Sequence, residues 1–421
     1  MSFQQGLSGL RSASVSLDTI GNNIANSGTV GFKSASALFG DVFAATLGGG
    51  NQVGIGVSVG GISQQFTQGN ITSTNNPLDI AINGQGMFRL SNSGATTFTR
   101  NGQFNIDKDG YVVTASGARL TGYLANEANI IVPSTPKDIF INTANLQPMP
   151  TGGPLGTGPG VKIGLNLDSR TKIIDPATVF NETDPLTYNS STSATVYDSL
   201  GNAHLMSMFF RKTGPNEWDI YTNLNGGPTT AATQLVFSST GALTASALPL
   251  GVISQTFVPE PDPVNTPGVT TGAEDILFDL NLAGSTQYGN IFGVNSISQD
   301  GYTSGRLSGL STAPDGTIQG RYSNGQTRDL AQVVLANFNN PNGLTSLGGN
   351  QWAETAESGQ PQIGVPGSGS LGVLQSAAIE ESNTDLTAEL VNMITQQRAY
   401  QANAQTIKTQ DQILQTLVNL R

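Results

Sequence analysis

The chain has 421 residues and a mass of 43.6 kDa, room for about two to four domains of ordinary size. Charged residues make up 11%, under half the roughly 25% of an average soluble domain, and a net charge of −11 with no Lys/Arg run leaves no electrostatic footprint for nucleic acid or an anionic membrane. With no cysteine and one histidine, His204, the chain lacks thiolate nucleophiles, disulfides, iron–sulfur clusters and Cys/His zinc sites, and no cofactor is expected.

The start, MSFQQGLSGLRSAS, has no basic stretch leading into an apolar one, and no run reaches the ~18 apolar residues of a membrane span. The expectation is a chain without membrane insertion that, if exported, leaves without a cleaved signal peptide. From residue 2 to 24, Phe3, Leu7, Leu10, Ser14, Leu17, Gly21 and Ile24 fall at alternating steps of four and three, the heptad spacing of one helical stripe. Gly6, Gly9 and Gly21 each cost about 1 kcal/mol relative to Ala inside a helix, so this helix needs partners and is expected to stay disordered without them. Directly after it, Ala25-Asn26-Ser27-Gly28-Thr29-Val30-Gly31-Phe32-Lys33 reads as a helix stop in which Asn and Gly permit φ > 0, followed by a Phe anchor. Residues 25–70 are Gly-rich and weakly patterned, an extended connection.

Beyond them the period changes to two, in Leu78-Asp79-Ile80-Ala81-Ile82, in residues 161–167 and in residues 276–282, the alternation of half-buried strands. Asn-Gly pairs at 83, 101, 225, 324 and 342, with Asp-Gly pairs at 109, 300 and 315, supply hairpin turns, so the middle reads as antiparallel β. PMPTGGPLGTGPG, residues 148–160, reads as a linker into a second β-domain, with a return near Asp300-Gly301-Tyr302 and a further Pro-rich loop from Pro259 to Gly268. GVPGSGSLG, residues 364–372, separates the last β segment from a C-terminal helical region. There Leu386, Leu390, Met393, Gln397, Tyr400, Ala404, Ile407, Asp411, Leu414 and Val418 repeat the four-three step. Ser382-x-x-Asp385 has the form of a capping box, and the absence of Gly and Pro after it predicts a helix of about 36 residues, ~54 Å long.

The fold class that follows is mainly β with α-helical termini, the domains nested and discontinuous. The helical part is 1–24 plus 383–421, a coiled-coil-like pair; the connector is 25–70 plus 364–382; the inner β-domain is 71–147 plus 301–363; the outer one is 148–300. Two end helices with apolar stripes and no partner in the β body are best served by pairing with each other or with copies from other chains.

No catalytic constellation stands out. Gly367-Ser368-Gly369-Ser370-Leu371-Gly372 matches a dinucleotide fingerprint literally, but it follows Pro366 in an antiparallel context and reads as a linker. Asp107-Lys108-Asp109-Gly110 lacks the later ligands of a calcium loop and reads as a hairpin turn. Glu380 and Glu381 are adjacent, unlike a glycosidase pair, and read as charges favouring a helix start. His204 reads as a strand-edge histidine.

Preceded by Ile20-Gly21-Asn22-Asn23-Ile24, the 25–33 segment closely resembles the signature of the axial proteins of the bacterial flagellum, with Asn22, Asn23, Ala25, Asn26, Thr29, Gly31, Phe32 and Lys33 as the matching positions. The resemblance continues through Leu78–Gly84, Thr99–Phe104 and Leu120–Tyr123. Tyr322–Gly325, Ala331–Phe338, Glu389–Ile394, Gln405–Asp411 and Val196–His204 with Trp218 look like the hook branch of that family. Membership implies a subunit of a hollow helical polymer joining rod to filament as a universal joint. It also implies an extracellular place in the flagellum, and export, unfolded, by the flagellar type III export apparatus. The implied partners are further copies of itself, the distal rod protein, the hook cap protein and the hook–filament junction protein. The terminal helices, on Phe3, Leu7, Leu10, Leu17, Ile24, Leu386, Leu390, Met393, Tyr400, Ile407, Leu414 and Val418, would carry self-assembly. Two alternatives remain at this stage: another axial protein such as the distal rod protein, or a secreted carbohydrate-binding or adhesin module using Trp218 and Trp352 as stacking platforms.

Overall fold

The computed structural model describes residues 2–42, 54–126, 129–175, 177–245, 252–259 and 272–419. It is mainly β, with one long helix at each end, α1 (Ser2–Ala25) and α2 (Leu386–Asn419). The chain divides into two units, both discontinuous in sequence: Met1–Thr143 with Ser308–Arg321 and Thr327–Arg421, and Ala144–Leu307 with Tyr322–Gln326.

In the second unit, Ser190–Tyr197, Ala203–Gly214, Glu217–Leu224, Thr233–Phe237 and Leu243–Ala245 form an antiparallel sheet in chain order. The other sheet is built around Val161–Asp168, which pairs antiparallel with Gly293–Gln299. The period-two pattern does its work here: Ile276, Phe278 and Leu280 are buried while Leu277 between them is 42% exposed. These side chains share one core with Ile163, Leu165, Met206, Met208, Phe210 and Trp218 from both sheets. The sequence reading of an all-antiparallel middle needs correction, because Val161–Asp168 runs parallel to Ile276–Asn281 and to Thr286–Tyr288. A parallel pair needs a long crossover, and the whole antiparallel sheet from Ser190 to Ala245 lies within it.

The Pro/Gly stretch 148–160 is stitched rather than loose. Gly152, Gly153, Gly156 and Gly160 all have φ between 66° and 88°, and the Asp300 carboxylate accepts from Gly152 N (2.8 Å) and Gly160 N (3.2 Å). Met149 and Tyr302 exchange both backbone hydrogen bonds, so the outgoing and returning strands of this unit run side by side. The second Pro-rich loop, beyond Pro259, lies outside the described residues. His204 is the second residue of strand Ala203–Gly214, at the strand's end as its sequence implied, but that strand is an interior one, second of the five, so the side chain is only 7% exposed, its ring between the Asp198 carboxylate (3.2 Å) and the Asn225 amide (2.9 Å). Burial pushes the Asp198 carboxyl up, but hydrogen bonds from Asn202 and His204 outweigh it and hold the group below its usual range.

In the first unit one sheet runs in the order Leu307–Thr312, Thr317–Tyr322, Thr327–Val333, Arg119–Leu124, Met87–Asn92, Ala95–Thr99, Gln351–Ala353, Thr345–Gly348. Asp107 to Gly110 is a hairpin turn, as its sequence implied: the Asp107 carboxylate accepts from Asp109 N and Tyr111 N, and Gly110 takes φ 93°. Two stretches read as connector carry structure. Ala35–Val42 and Gly56–Gln64 form an antiparallel hairpin. Val373–Ser376 pairs with Ile80–Asn83, and Ala378–Glu380 with Ile71–Ser73. Weak patterning hid them because these short strands have few fully buried side chains. The G-x-G-x-x-G match falls in a turn leading to a strand, with no helix after it.

Asp168 closes a turn with Arg170, whose guanidinium donates to it at 3.0 and 2.9 Å. That side chain, with the Arg170 backbone N–H, lowers the Asp168 carboxyl to about 2. A folded-state value below the unfolded one means that any stabilisation from the pair is present above the ordinary carboxylate range and is lost as pH falls through about 2. NMR titration of Asp168 is expected to give that midpoint, and Arg170→Ala to move it up toward the usual carboxylate value.

Candidate assembly interface

The two terminal helices lie antiparallel along each other: Asn23 meets Glu389, Gly9 meets Asn403 and Gly6 meets Ile407. Two of the three glycines that made α1 look unstable, Gly6 and Gly9, are where α2 comes close, whereas nothing lies within 4 Å of a Cβ on Gly21. A Cβ on Gly9 would stand 2.8 Å from the Asn403 side chain, and one on Gly6 would stand 3.1 Å from Ile407 Cγ1. The buried face of α1 is Gly6, Ala13, Ser16, Thr19 and Asn23, displaced by one residue, about 100° round the helix, from the apolar stripe read in the sequence. That stripe is turned outward: Phe3 and Leu7 are 46% and 41% exposed, and Leu10, Leu17 and Ile24 are half-buried. On α2, Met393 and Ile407 are half-buried, whereas Leu386, Leu390, Tyr400 and Leu414 are exposed. The Val418 side chain lies outside the described residues. With Gly6 opposite Ile407, the last ~two turns of α2, carrying exposed Ile413 and Leu414, extend past the start of α1.

The N-cap of α2 is Asp385, whose carboxylate accepts from Thr387 N and Ala388 N at 2.9 and 3.2 Å. Ser382 does not serve as the cap; its hydroxyl accepts from Thr384 N within the preceding turn.

The signature residues form the exit from α1. Asn23, 1% exposed, acts as a surrogate strand: its amide oxygen accepts from Ala35 N (2.9 Å) and its amide nitrogen donates to Ala35 O (2.8 Å) and to Glu389 Oε1 (2.9 Å). One side chain thereby joins α1, the hairpin and α2. Asn22 and Asn26 bond each other through their side chains, Thr29 donates to Asn26, and Ala25 ends the helix exposed. Phe32 is half-buried, and its N–H bonds Thr29 O. Only Gly31 in this segment has a positive φ, 71°, and its missing Cβ would sit 2.5 Å from Asn101 N. The helix stop therefore does not use Asn26 or Gly28 in the left-handed region; glycine is required at 31 by backbone crowding. The hairpin docks on α1 through Gln5 Nε2 to Gly54 O (2.6 Å) and Val57 N to Ser8 Oγ (3.2 Å), and exposes Leu38, Phe39, Val59 and Ile62.

Lys33, the last signature residue, is 1% exposed. Its ammonium donates to Glu380 Oε1 (2.6 Å) and Thr67 O (2.6 Å); Arg100 Nη1 reaches Glu380 Oε2 (3.0 Å), and Gly69 N donates to Oε1 (2.9 Å). Glu380 is thus no helix-start charge. It is a 1% exposed strand residue, misread because a buried carboxylate and a helix-terminal one look alike until their cationic partners, hundreds of residues away, are in place. Burial lowers the Lys33 and Arg100 pKa values against the opposing pull of Glu380.

Trp218 and Trp352 are 1% and 3% exposed. Each spends its indole N–H inside the fold, on Gln287 (3.0 Å) and Gln64 (2.7 Å), so neither presents a stacking face to a sugar. Among the described residues no group of three His, Cys, Asp or Glu could hold a metal ion.

A mainly β body bearing two termini paired by a small-residue seam, with apolar stripes still uncovered, defines a class of protein: an assembly subunit of axial type. Four family models match, described as Flagella basal body rod protein (3–33), Flagellar hook protein FlgE/F/G D1 domain (81–144), Flagellar basal body protein FlaE D2 domain (166–302) and Flagellar basal body rod FlgEFG protein C-terminal (375–420). The chain is 43% identical over 430 residues to the flagellar hook protein FlgE of Escherichia coli K12 and 44% identical over 442 residues to that of Salmonella typhimurium, with all of each chain covered. It is 32% identical to the hook protein of Borreliella burgdorferi, covering all of this chain and 99% of that one. The chain belongs to the flagellar hook protein family.

Asn23→Ala strands the half-buried Ala35 N–H and C=O, and a loss of about 1 kcal/mol is expected at this junction; hydrogen exchange at the Ala35 amide should quicken while amides in 161–168 keep their protection. Gly9→Leu is expected to part α2 from α1, read as faster exchange along both helices.

Proposed function

We propose that the chain is a structural subunit of the bacterial flagellar hook, polymerising with itself into a hollow helical tube that serves as a flexible joint and carries torque from rod to filament. The observation that carries this is the two-faced helix pair: α1 spends its small and polar face on its own α2 and keeps Phe3 and Leu7 uncovered at the end of the pair where α2 exposes Ile413 and Leu414, while Leu386, Leu390, Val391 and Ile394 of α2 are exposed at the other end. Apolar area of this extent on paired helices calls for neighbouring copies. Full-length identity to proteins named as hook proteins supports the same reading and favours it over the distal rod protein.

In this reading the four sequence segments form layers: 1–24 with 383–421 lining the tube, 25–70 with 364–382 joining, 71–147 with 301–363 as inner body, and 148–300 outermost. The chain works outside the cell as part of the flagellum. It leaves unfolded through the flagellar type III apparatus, folds its helix pair on arrival, and meets the distal rod, hook cap and hook–filament junction proteins at the ends of the tube. Its work is mechanical and needs no catalytic group. A surface with few charges and many Ser, Thr, Asn and Gln suits contacts that water can replace as the joint bends.

Negative-stain electron microscopy of concentrated full-length chain, beside a version lacking 1–24 and 386–421, tests this. Tubes or curved filaments from the full-length chain alone are expected; compact monomers from both, even after seeding with hook fragments, would refute it.

A further inference from the structure

The Lys33–Glu380–Arg100 cluster places two cations and one anion in the interior, side chains 0–5% exposed. Such clusters add little stability compared with apolar packing of equal volume, and their best-attested use is to fix one arrangement among several. Here the arrangement involves four segments. The Glu380 carboxylate binds the α1 exit through Lys33, the hairpin return through Gly69 N, and the β body through Arg100, while the Glu380 carbonyl accepts from Gly31 N at 2.8 Å. Lys33 also grips Thr67 O, and Arg100 grips Gly84 O at 2.7 Å. Glu380 lies a few residues before α2 begins, and Lys33 a few after α1 ends. A second tie runs alongside, with Ser34 N donating to Asn383 Oδ1 and Asn383 Nδ2 to Gln65 O, each at 2.7 Å.

We propose that Glu380 is a positioning residue that fixes the direction in which the helix pair leaves the β body of its unit. If the chain is a hook subunit, torque passes between helix layer and β body at this point; the geometric claim itself does not rest on that function. A carboxylate held by three donors from three segments has one low-energy orientation, whereas the covalent connections at 26–34 and 381–385 alone allow many.

The chain has no cysteine, so nitroxide labels at Thr395→Cys on α2 and Ala95→Cys in the β body, both exposed, report their separation cleanly by pulsed electron resonance. The otherwise unaltered chain is expected to give one narrow distance. Glu380→Gln leaves two buried cations unpaired and should both lower the urea midpoint and broaden the distance distribution. Lys33→Met added to Glu380→Gln restores the original buried charge: the urea midpoint should recover while the distance stays broad. A narrow distance in either variant, a broad one in the unaltered chain, or a broad distance without recovery of the midpoint overturns the proposal, the last because orientation would then be only a by-product of stability.

Discussion

A single buried carboxylate, Glu380, lies where both chain termini meet the β body. An isolated charge in the interior would cost several kcal/mol, so its three donors, two of them cationic, are obligatory. That obligation is what makes Lys33 and Arg100 buried residues and brings the α1 exit against the strand leading into α2. Asn23 solves the same problem with neutral groups one step earlier, lending its amide to the N–H and C=O of Ala35 at the start of the hairpin.

From this junction the helix pair acquires two faces with different chemistry. Burying Gly6, Ala13, Ser16 and Asn23 gives close approach and polar specificity but little hydrophobic free energy, which scales with apolar area removed from water. The apolar stripe, which could contribute more, stays outside. A subunit built this way has a helix pair that holds its shape modestly alone and gains most when neighbours cover Phe3, Leu7, Leu390 and Ile394. The second unit has the opposite economy: both sheets contribute buried apolar side chains to one core.

Much of this was legible in the sequence. Period-two alternation located the strands with one buried face, as at Ile276, Phe278 and Leu280, and the four-three step located both helices, since these signals are local and each residue's burial follows from its neighbours. Asp-Gly at 109 gave its turn for the same reason. What failed were readings of single residues. Glu380 passed for a helix-terminal charge, and the alternative reading needed Trp218 and Trp352 as surface platforms, because the burial of all three depends on partners remote in the chain; Ser382 passed for a cap because Asp385, three residues on, offers its carboxylate to the same helix start. The hairpin at 35–64 was missed because strands half-covered on both faces carry no clean alternation.

The sequence by itself determined the family, the helical ends, the β middle and the exclusion of thiol chemistry, because these follow from composition, spacing and motif. Tertiary structure alone decided which face of α1 is buried and where each charge goes. A helix of this composition has both an apolar stripe and a small-residue stripe, 100° apart, and local physics favours burying the apolar one. The choice fell to the small stripe because Asn23 must reach Ala35 and Glu389 together, and that geometry rotates α1 until Gly6 and Gly9 lie beneath α2.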